Sequence, residues 1–330
     1  MMSSTAPVSS VPLFSVVVPT YNRPERLANC LTALAEQDYP RGCLEVVVVD
    51  DGSPTAMDEV VAPFRSQLSV TLIRQENAGP ATARNVGAKR AKGTLLAFTD
   101  DDCMPSPHWL SGFLARLLQT PDAMVGGRSL NALPDNSYST ASQALIDYLY
   151  SYYSGSGNGS SHGQSSSSNR AESPAADGEP MVFFASNNIA MSRENYLRVG
   201  GFDVSFPLAA AEDRELCDRW QQAGLPMVYA PEVTIRHAHH LSLKSFWRQH
   251  FGYGRGAFCF HQVRSQRNDQ PIRVEPMKFY TDLLTYPLSR QDVKSPLFVS
   301  ALFFLSQVAT TAGFFWERMT QNKTMKKTPV

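Results

Sequence analysis

No charge of either sign predominates: thirty basic side chains stand against thirty acidic ones, for a formal net charge of zero. Nothing of that balance would hold a nucleic acid by bulk electrostatics. Cysteine is sparse as well. The five residues, Cys30, Cys43, Cys103, Cys217 and Cys259, are odd in number and never spaced CxxC. That argues against a disulfide framework and a zinc site, and for a reducing compartment. Met1 to Pro12 lacks a positive n-region and a long apolar core, and reads as a loose tail rather than a signal peptide. No GxGxxG follows the first strand-like run; PTYNRP stands there instead, which argues against a dinucleotide cofactor. No internal repeat is apparent. What remains is an ordinary globular composition, 43% apolar and 18% charged over 330 residues, enough for one large domain or two small ones with a sizeable core.

Phe14 to Pro19 is a β-branched run suited to a strand covered on both faces. Thr20 to Arg23 follows as a loop, Pro24 is well placed as a first helical residue, and Leu27, Cys30, Leu31 and Leu34 fall at helical spacing. Strands are predicted at Leu44–Val49 and Val70–Arg74, a helix at Gly79–Arg90, and a strand at the apolar run beginning at Thr94. Strands alternating with helical patterns imply βαβ units and a mainly parallel sheet. Further strands are expected at Ala123–Gly127, around Met227–Ala230 and at Val233–Ile235, and an aromatic stretch covers Ala144–Tyr153. The Ser-, Gly- and Asn-rich segment 154–180 has almost no large apolar residues and is expected to be a disordered loop. These breaks suggest a tail at 1–12, a nucleotide-binding half at 13–130, an acceptor-side half at 131–260 and a helical extension at 261–330.

Chemistry concentrates where strands end. The run from Thr94 stops abruptly in Asp100, Asp101 and Asp102, and Leu44–Val49 stops in Asp50 and Asp51. In open α/β sheets ligands collect outside the carboxyl ends of the strands, and in a parallel sheet both sets would emerge at one edge. Three adjacent carboxylates repel one another unless a cation sits among them, and hard oxygen ligands suit Mg²⁺ or Mn²⁺ on substrate phosphates. A third set, Glu212 and Asp213, opens a helix and could accept a proton from an attacking hydroxyl.

In this order the motifs PTYNRPERL, VVVVDDGS, NAGPATARNVG, TDDDCMP, SNNIAMSR, VGGFD, AEDRELCDRW and RQHFGYGRG resemble the family-two glycosyltransferases of the GT-A fold, from about Phe14 to Gly256. The resemblance implies inverting transfer of a sugar from a nucleotide-diphosphate donor to an acceptor hydroxyl, with Mn²⁺ or Mg²⁺. It implies that Pro19, Thr20, Tyr21 and Arg23 line the donor pocket, that Asp50 hydrogen-bonds the base with Asp51 nearby, and that Arg84 and Asn85 face the donor phosphates and ribose. Asp100 and Asp102 match the outer positions of the family's DxD, with Asp102 the first metal ligand and Asp101 between them on the donor side. The middle position is itself an Asp, so the pattern leaves open which two carboxylates bind. Asp213, with Glu212 beside it, matches the general base. His237 matches a histidine that approaches the metal, with His239 and His240 clustered next to it. Arg248-Gln249 and Gly252–Gly256 read alone as a helix and its termination; the resemblance suggests a lid-like segment near donor and acceptor.

Two other readings share parts of this pattern. A sugar-nucleotide nucleotidyltransferase would share the sheet and the carboxylates but usually carries a glycine-rich loop where PTYNRP stands. A catalytically silent glycan- or nucleotide-binding module would not need the acidic sets. Finally, Leu297–Trp316 is uncharged and mostly apolar, with Ser300, Ser306, Gln307, Thr310 and Thr311 at intervals and Lys323, Lys326 and Lys327 beyond. It is long enough to span a bilayer or to lie in its surface. The expectation is an enzyme peripheral to or anchored at the cytoplasmic face of a membrane, acting on a glycan or lipid-linked acceptor, with no nucleic-acid partner.

Overall fold

The computed structural model describes residues 11–153, 183–206, 210–268 and 275–325. Residues 1–10 of the expected tail and the expected loop at 154–180 lie outside them. The chain opens with β1 (Phe14–Thr20), α1 (Pro24–Ala35), β2 (Leu44–Asp50), the single turn α2 (Asp58–Val61), β3 (Ser69–Arg74), α3 (Pro80–Arg90) and β4 (Leu95–Phe98). β1 and β2 are buried along their whole length, as β-branched runs enclosed on both faces should be. They pair in parallel, Val16 opposite Val46, with β3 and β4 parallel on either side. α1 buries Leu27, Cys30, Leu31 and Leu34 as one stripe behind Pro24. α3 lies so close to the sheet that a Cβ on Gly87 would sit 2.4 Å from Val17 Cγ1.

The second half continues with β5 (Cys103–Pro105), α4 (Trp109–Gln119), β6 (Met124–Asn131), α5 (Ser137–Tyr153), β7 (Ile189–Ser192), α6 (Arg193–Val199), α7 (Glu212–Gln222) and β8 (Met227–His237). One eight-stranded sheet results, in the order β3-β2-β1-β4-β7-β6-β8-β5. The pairings are parallel in four of seven cases. The antiparallel ones all involve β7 or β5. Because β6, at the expected boundary of 130/131, is an inner strand of this sheet, the two expected halves share one sheet. β8 joins the two strand-like runs, Met227–Ala230 and Val233–Ile235, into one strand with an irregularity opposite Gly127/Arg128.

Three more helices complete the described chain: α8 (Leu243–Asn268), α9 (Met277–Thr285) and α10 (Pro296–Met325). With α5 they bury their own apolar cluster, including Phe246, Phe279, Leu283, Leu302 and Phe303. The expectation of a helix end at Gly252–Gly256 is not met, because α8 runs through it unbroken. Its glycines serve packing instead: a Cβ on Gly254 would lie 1.8 Å from Thr310 O, and one on Gly313 of α10 would lie 2.0 Å from Phe251 O. Helical glycine costs roughly 1 kcal/mol against alanine, and that cost admits backbone contact between two helices.

Candidate active site

β4 ends at Phe98, and after the buried Thr99 the chain turns through the three aspartates into β5. β5 pairs antiparallel with the end of β8, placing Cys103 opposite His237. This register lays the imidazole over the triplet: His237 Nε2 is 3.3 Å from Asp102 Oδ1. Asp102 also accepts from Arg26 Nη1 at 3.1 Å, with Arg23 Nη1 3.5 Å away. Asp101 accepts from Thr20 Oγ1 at 2.8 Å and Arg23 Nη1 at 3.1 Å. Asp100 accepts from Arg84 Nη2 at 2.7 Å. Separate cations thus offset the repulsion expected of three adjacent carboxylates. Burial alone would raise Asp102, but the hydrogen bond and charge of His237, with Arg23, hold its carboxyl well below the usual range. Burial pushes Asp101 up to about 6, with Arg23 opposing and Asp102 adding to the rise.

The acidic pair meets this shelf through one guanidinium. Arg84 is buried and reaches Asp100 with one nitrogen and Glu212 Oε1, at 3.3 Å, with the other. Glu212 and Asp213 open α7 behind Ala211, a non-glycine residue held at φ 72°. Such left-handed backbone costs roughly 1–3 kcal/mol and clusters at functional sites. Burial, with Asp213 adjacent, pushes the Glu212 carboxyl up to about 7 despite Arg84. Burial likewise raises Asp213, against its bond from Arg214 N. Glu212 is the more enclosed and already paired; Asp213 is half-buried.

All of these hydrogen-bonded side chains but Arg26 face one cavity of about 1690 Å³. Pro19, Thr20, Tyr21, Arg23, Asp51, Arg84, the three aspartates, Glu212, Asp213, His237 and His239 line it, and at its far side stand Tyr253 of α8 and one face of α10. Two expected donor contacts lie elsewhere. Asp50 is buried behind Asp51, accepting from Ser53 N at 2.9 Å with Arg74 3.8 Å away. Asn85 does not line the cavity: its amide accepts from Tyr196 Oη at 2.6 Å and Phe202 N at 2.9 Å and donates to Phe202 O at 2.8 Å. It fastens the Gly200–Gly201 turn, because α3 turns that position away from the shelf. Asp51 is on the wall, but accepts from Ala78 N and Gly79 N. Of the three histidines, His240 is exposed and outside the cavity, while burial and the charge of His237 lower His239 to about 4.

Sequence reasoning missed Arg26, whose signal is its i+3 spacing from Arg23 on the first turn of α1. It placed Gly252–Gly256 near donor and acceptor without singling out Tyr253, which accepts from Gln249 Nε2 at 2.6 Å and stands near enough to Asp213 and Glu212 for their charge to help raise its phenol to about 12, after burial.

The donor set fits a hard divalent ion. Asp102, Cys103 and His237 bring one ligand atom each within 4.8 Å. Burial holds the Cys103 thiol far above its ordinary range, and its soft sulfur suits a hard ion poorly. A carboxylate, an imidazole and the more open Asp100 remain, with oxygen donors predominating as Mg²⁺ and Mn²⁺ prefer.

Comparison with known proteins bears on this site. The profile described as glycosyl transferase family 2 matches residues 15–195. Validoxylamine A glucosyltransferase of Streptomyces hygroscopicus subsp. jinggangensis is 32% identical over 233 residues, 68% of this chain and 55% of that protein. Glycosyltransferase AglE of Haloferax volcanii is 37% identical over 121 residues, 36% of this chain and 40% of that one. The chain thus spans about half the length of these curated relatives. Among solved structures, a mannosyltransferase from Pyrobaculum calidifontis in complex with GDP-Man and Mn²⁺ superposes with a TM-score of 0.56 at 20% identity, covering 91% of this chain and 76% of that one. Residues 1–349 of S. aureus TarS in complex with UDP give 0.51 at 17% identity, covering 94% and 92%. These likenesses show the fold, GT-A, with its mixed sheet flanked by helices and a C-terminal helical extension.

Proposed function

The chain belongs to glycosyl transferase family 2, and from that premise we propose that it is a metal-dependent inverting glycosyltransferase moving a sugar from a nucleoside-diphosphate donor to an acceptor hydroxyl. The observation that carries this is the Arg84 bridge, which holds the strand-end aspartates and the Glu212–Asp213 pair in one cavity. A binding module has no use for a raised, half-buried carboxylate facing a diphosphate site. Relatives whose structures hold GDP-Man with Mn²⁺ or UDP support the donor class.

Asp213, the more open of the pair, accepts the acceptor's hydroxyl proton as that oxygen attacks the anomeric carbon. The bond from that carbon to the diphosphate oxygen breaks on the opposite face, so one displacement inverts the centre. Asp102, His237 and Asp100 would hold the ion, which supplies positive charge to the departing diphosphate when bound. Thr20, Tyr21 and Asp51 form the nucleoside side of the cavity. Arg23 and Arg26 stand where they can turn from the aspartates to donor phosphates. Arg84 keeps Glu212 in place and compensates Asp100. Five free cysteines support a cytoplasmic setting, and the apolar α10 supports work at a membrane on a glycan or lipid-linked acceptor.

The test is binding and turnover together. Nucleoside diphosphates should raise the melting temperature only with Mn²⁺ or Mg²⁺ present, by mass action on the native state. The matching sugar donor should be slowly hydrolysed. Stabilisation by nucleotide without any donor breakdown or transfer would leave a binding module and overturn the reading.

A further inference from the structure

α10 presents three adjoining faces. One packs on the protein, burying Val299, Leu302, Phe303, Ser306 and Ala309 and pairing the buried Glu317 with Arg255 at 2.6 Å. The next lines the catalytic cavity with Gln307, Thr310, Thr311, Phe314, Phe315 and Arg318. The third is apolar and open. Leu297, Phe304, Val308, Phe315 and Met319, which are 76%, 62%, 41%, 50% and 56% exposed, recur every four or seven residues and so form one stripe. Phe315 belongs to both the stripe and the cavity wall. The stripe extends towards α8, where Phe251 lies 6.3 Å from Trp316 and Trp247, one turn earlier, stands exposed between Lys244 and Arg248.

A solvent-facing stripe this long on a monomer marks an interaction surface. Its apolar residues with Lys244, Arg248 and Arg318 at the margins suit an anionic lipid surface. An 18-residue window within Pro296–Gln321 reaches a mean hydropathy of 1.6, and the segment is long enough to cross a bilayer. Yet α8 accompanies it from Thr310, bonded to His250 O, to Gln321, beside Cys259. A spanning α10 would drag those contacts and the Glu317–Arg255 pair into hydrocarbon, where polar groups are costly.

We propose that α10 lies in the plane of an anionic bilayer surface and sets the mouth of the catalytic cavity, at Phe315, against the lipid. This deepens the membrane contact and acceptor reading given above. The acceptor class it implies is an amphiphile whose chain stays in the bilayer while its head group enters under Phe315 towards Asp213.

The test uses the full chain and phosphatidylcholine vesicles with and without phosphatidylglycerol. Wild type should co-sediment with the phosphatidylglycerol vesicles, and Phe304→Asp with Val308→Asp should weaken this at least about tenfold. Melting temperature and nucleoside-diphosphate affinity should stay unchanged. A bimane label placed at Leu297→Cys, Val308→Cys or Met319→Cys should be quenched by brominated lipid at one shallow depth, although the helix between them is roughly 33 Å long. Phe315→Cys should be quenched alike, and Leu118→Cys on α4 not at all. Absence of vesicle binding, unaltered binding by the double variant, or a label deepest at Val308 would overturn the proposal. So would a dimer that the double variant turns into a monomer, since a second copy would then cover the stripe. Nucleotide affinity, read in solution, reports separately on the glycosyltransferase reading.

Discussion

Replacing Arg84 with methionine removes the one cation shared by Asp100 and Glu212 while filling most of its volume. At 2.7 and 3.3 Å each contact is worth roughly 5–6 kcal/mol of bare Coulomb energy at an effective dielectric of about 20, much of it offset by desolvation. Breaking a buried pair typically costs about 3–5 kcal/mol. Asp100 is partly open to solvent, so the lower end, about 3 kcal/mol, applies. For a chain of this size that is a fall of roughly 6 °C in melting temperature. The cost should depend on pH, and the sign can be worked out. Glu212 has a folded-state pKa of about 7, above its ordinary value, so its contribution to stability is present at low pH and is lost as pH rises towards 7. Without Arg84 the folded value rises further, so the variant keeps losing stability above pH 7, where wild type has levelled off. Differential scanning fluorimetry between pH 5.5 and 8.5 should show the deficit widening as pH rises. A deficit below about 2 °C at pH 8.5, or one equal across the range, would refute the shared-cation argument.

Asp102→Asn should abolish Mn²⁺-dependent nucleotide binding in calorimetry while leaving the circular dichroism spectrum unchanged; binding as tight as in wild type would remove Asp102 from the ligand set. Asp213→Asn should keep donor affinity and lose turnover by at least about a hundredfold, the scale of general-base removal; lost affinity with intact turnover would make it a binding residue. In wild type, turnover should rise with pH beyond the ordinary carboxylate range, because burial raises Asp213 and the base must be ionised to act, the reverse of that group's effect on stability. A turnover already at its maximum at pH 5.5 would contradict it. Asn85→Ala should lower stability by about 1–3 kcal/mol through the unpaired groups it leaves and spare nucleotide affinity; a selective loss of affinity would restore it to the donor pocket.

The strands of the first half and the acidic shelf were legible because parallel, doubly buried strands must be continuously apolar and their ends are then marked by abrupt charge. Asp50–Asp51 and Asp100–Asp102 are marked in that way, while Glu212–Asp213 is marked by opening a helix. Asn85 was not legible, because it directly follows Arg84 on α3 and a rotation of about 100° decides which of the two faces the shelf. Nor was the place of His237: it depends on the β5–β8 register, a pairing between segments over a hundred residues apart. Gly254 in RQHFGYGRG looks like punctuation in one dimension, and only the partner helix shows that it is clearance.

That clearance leaves α8 and α10 with bare backbone against bare backbone at Gly254 and Gly313. Side-chain layers between helices act as bearings, since rotamers can shift to absorb small displacements; at these two positions there is none. Tyr253, the neighbour of Gly254, stands at the cavity wall, so a tilt or slide of α10 reaches that ring with almost no backlash. The packing predicts that the two helices move as one lever, so that whatever seats α10 also sets how far Tyr253 stands from the acidic pair.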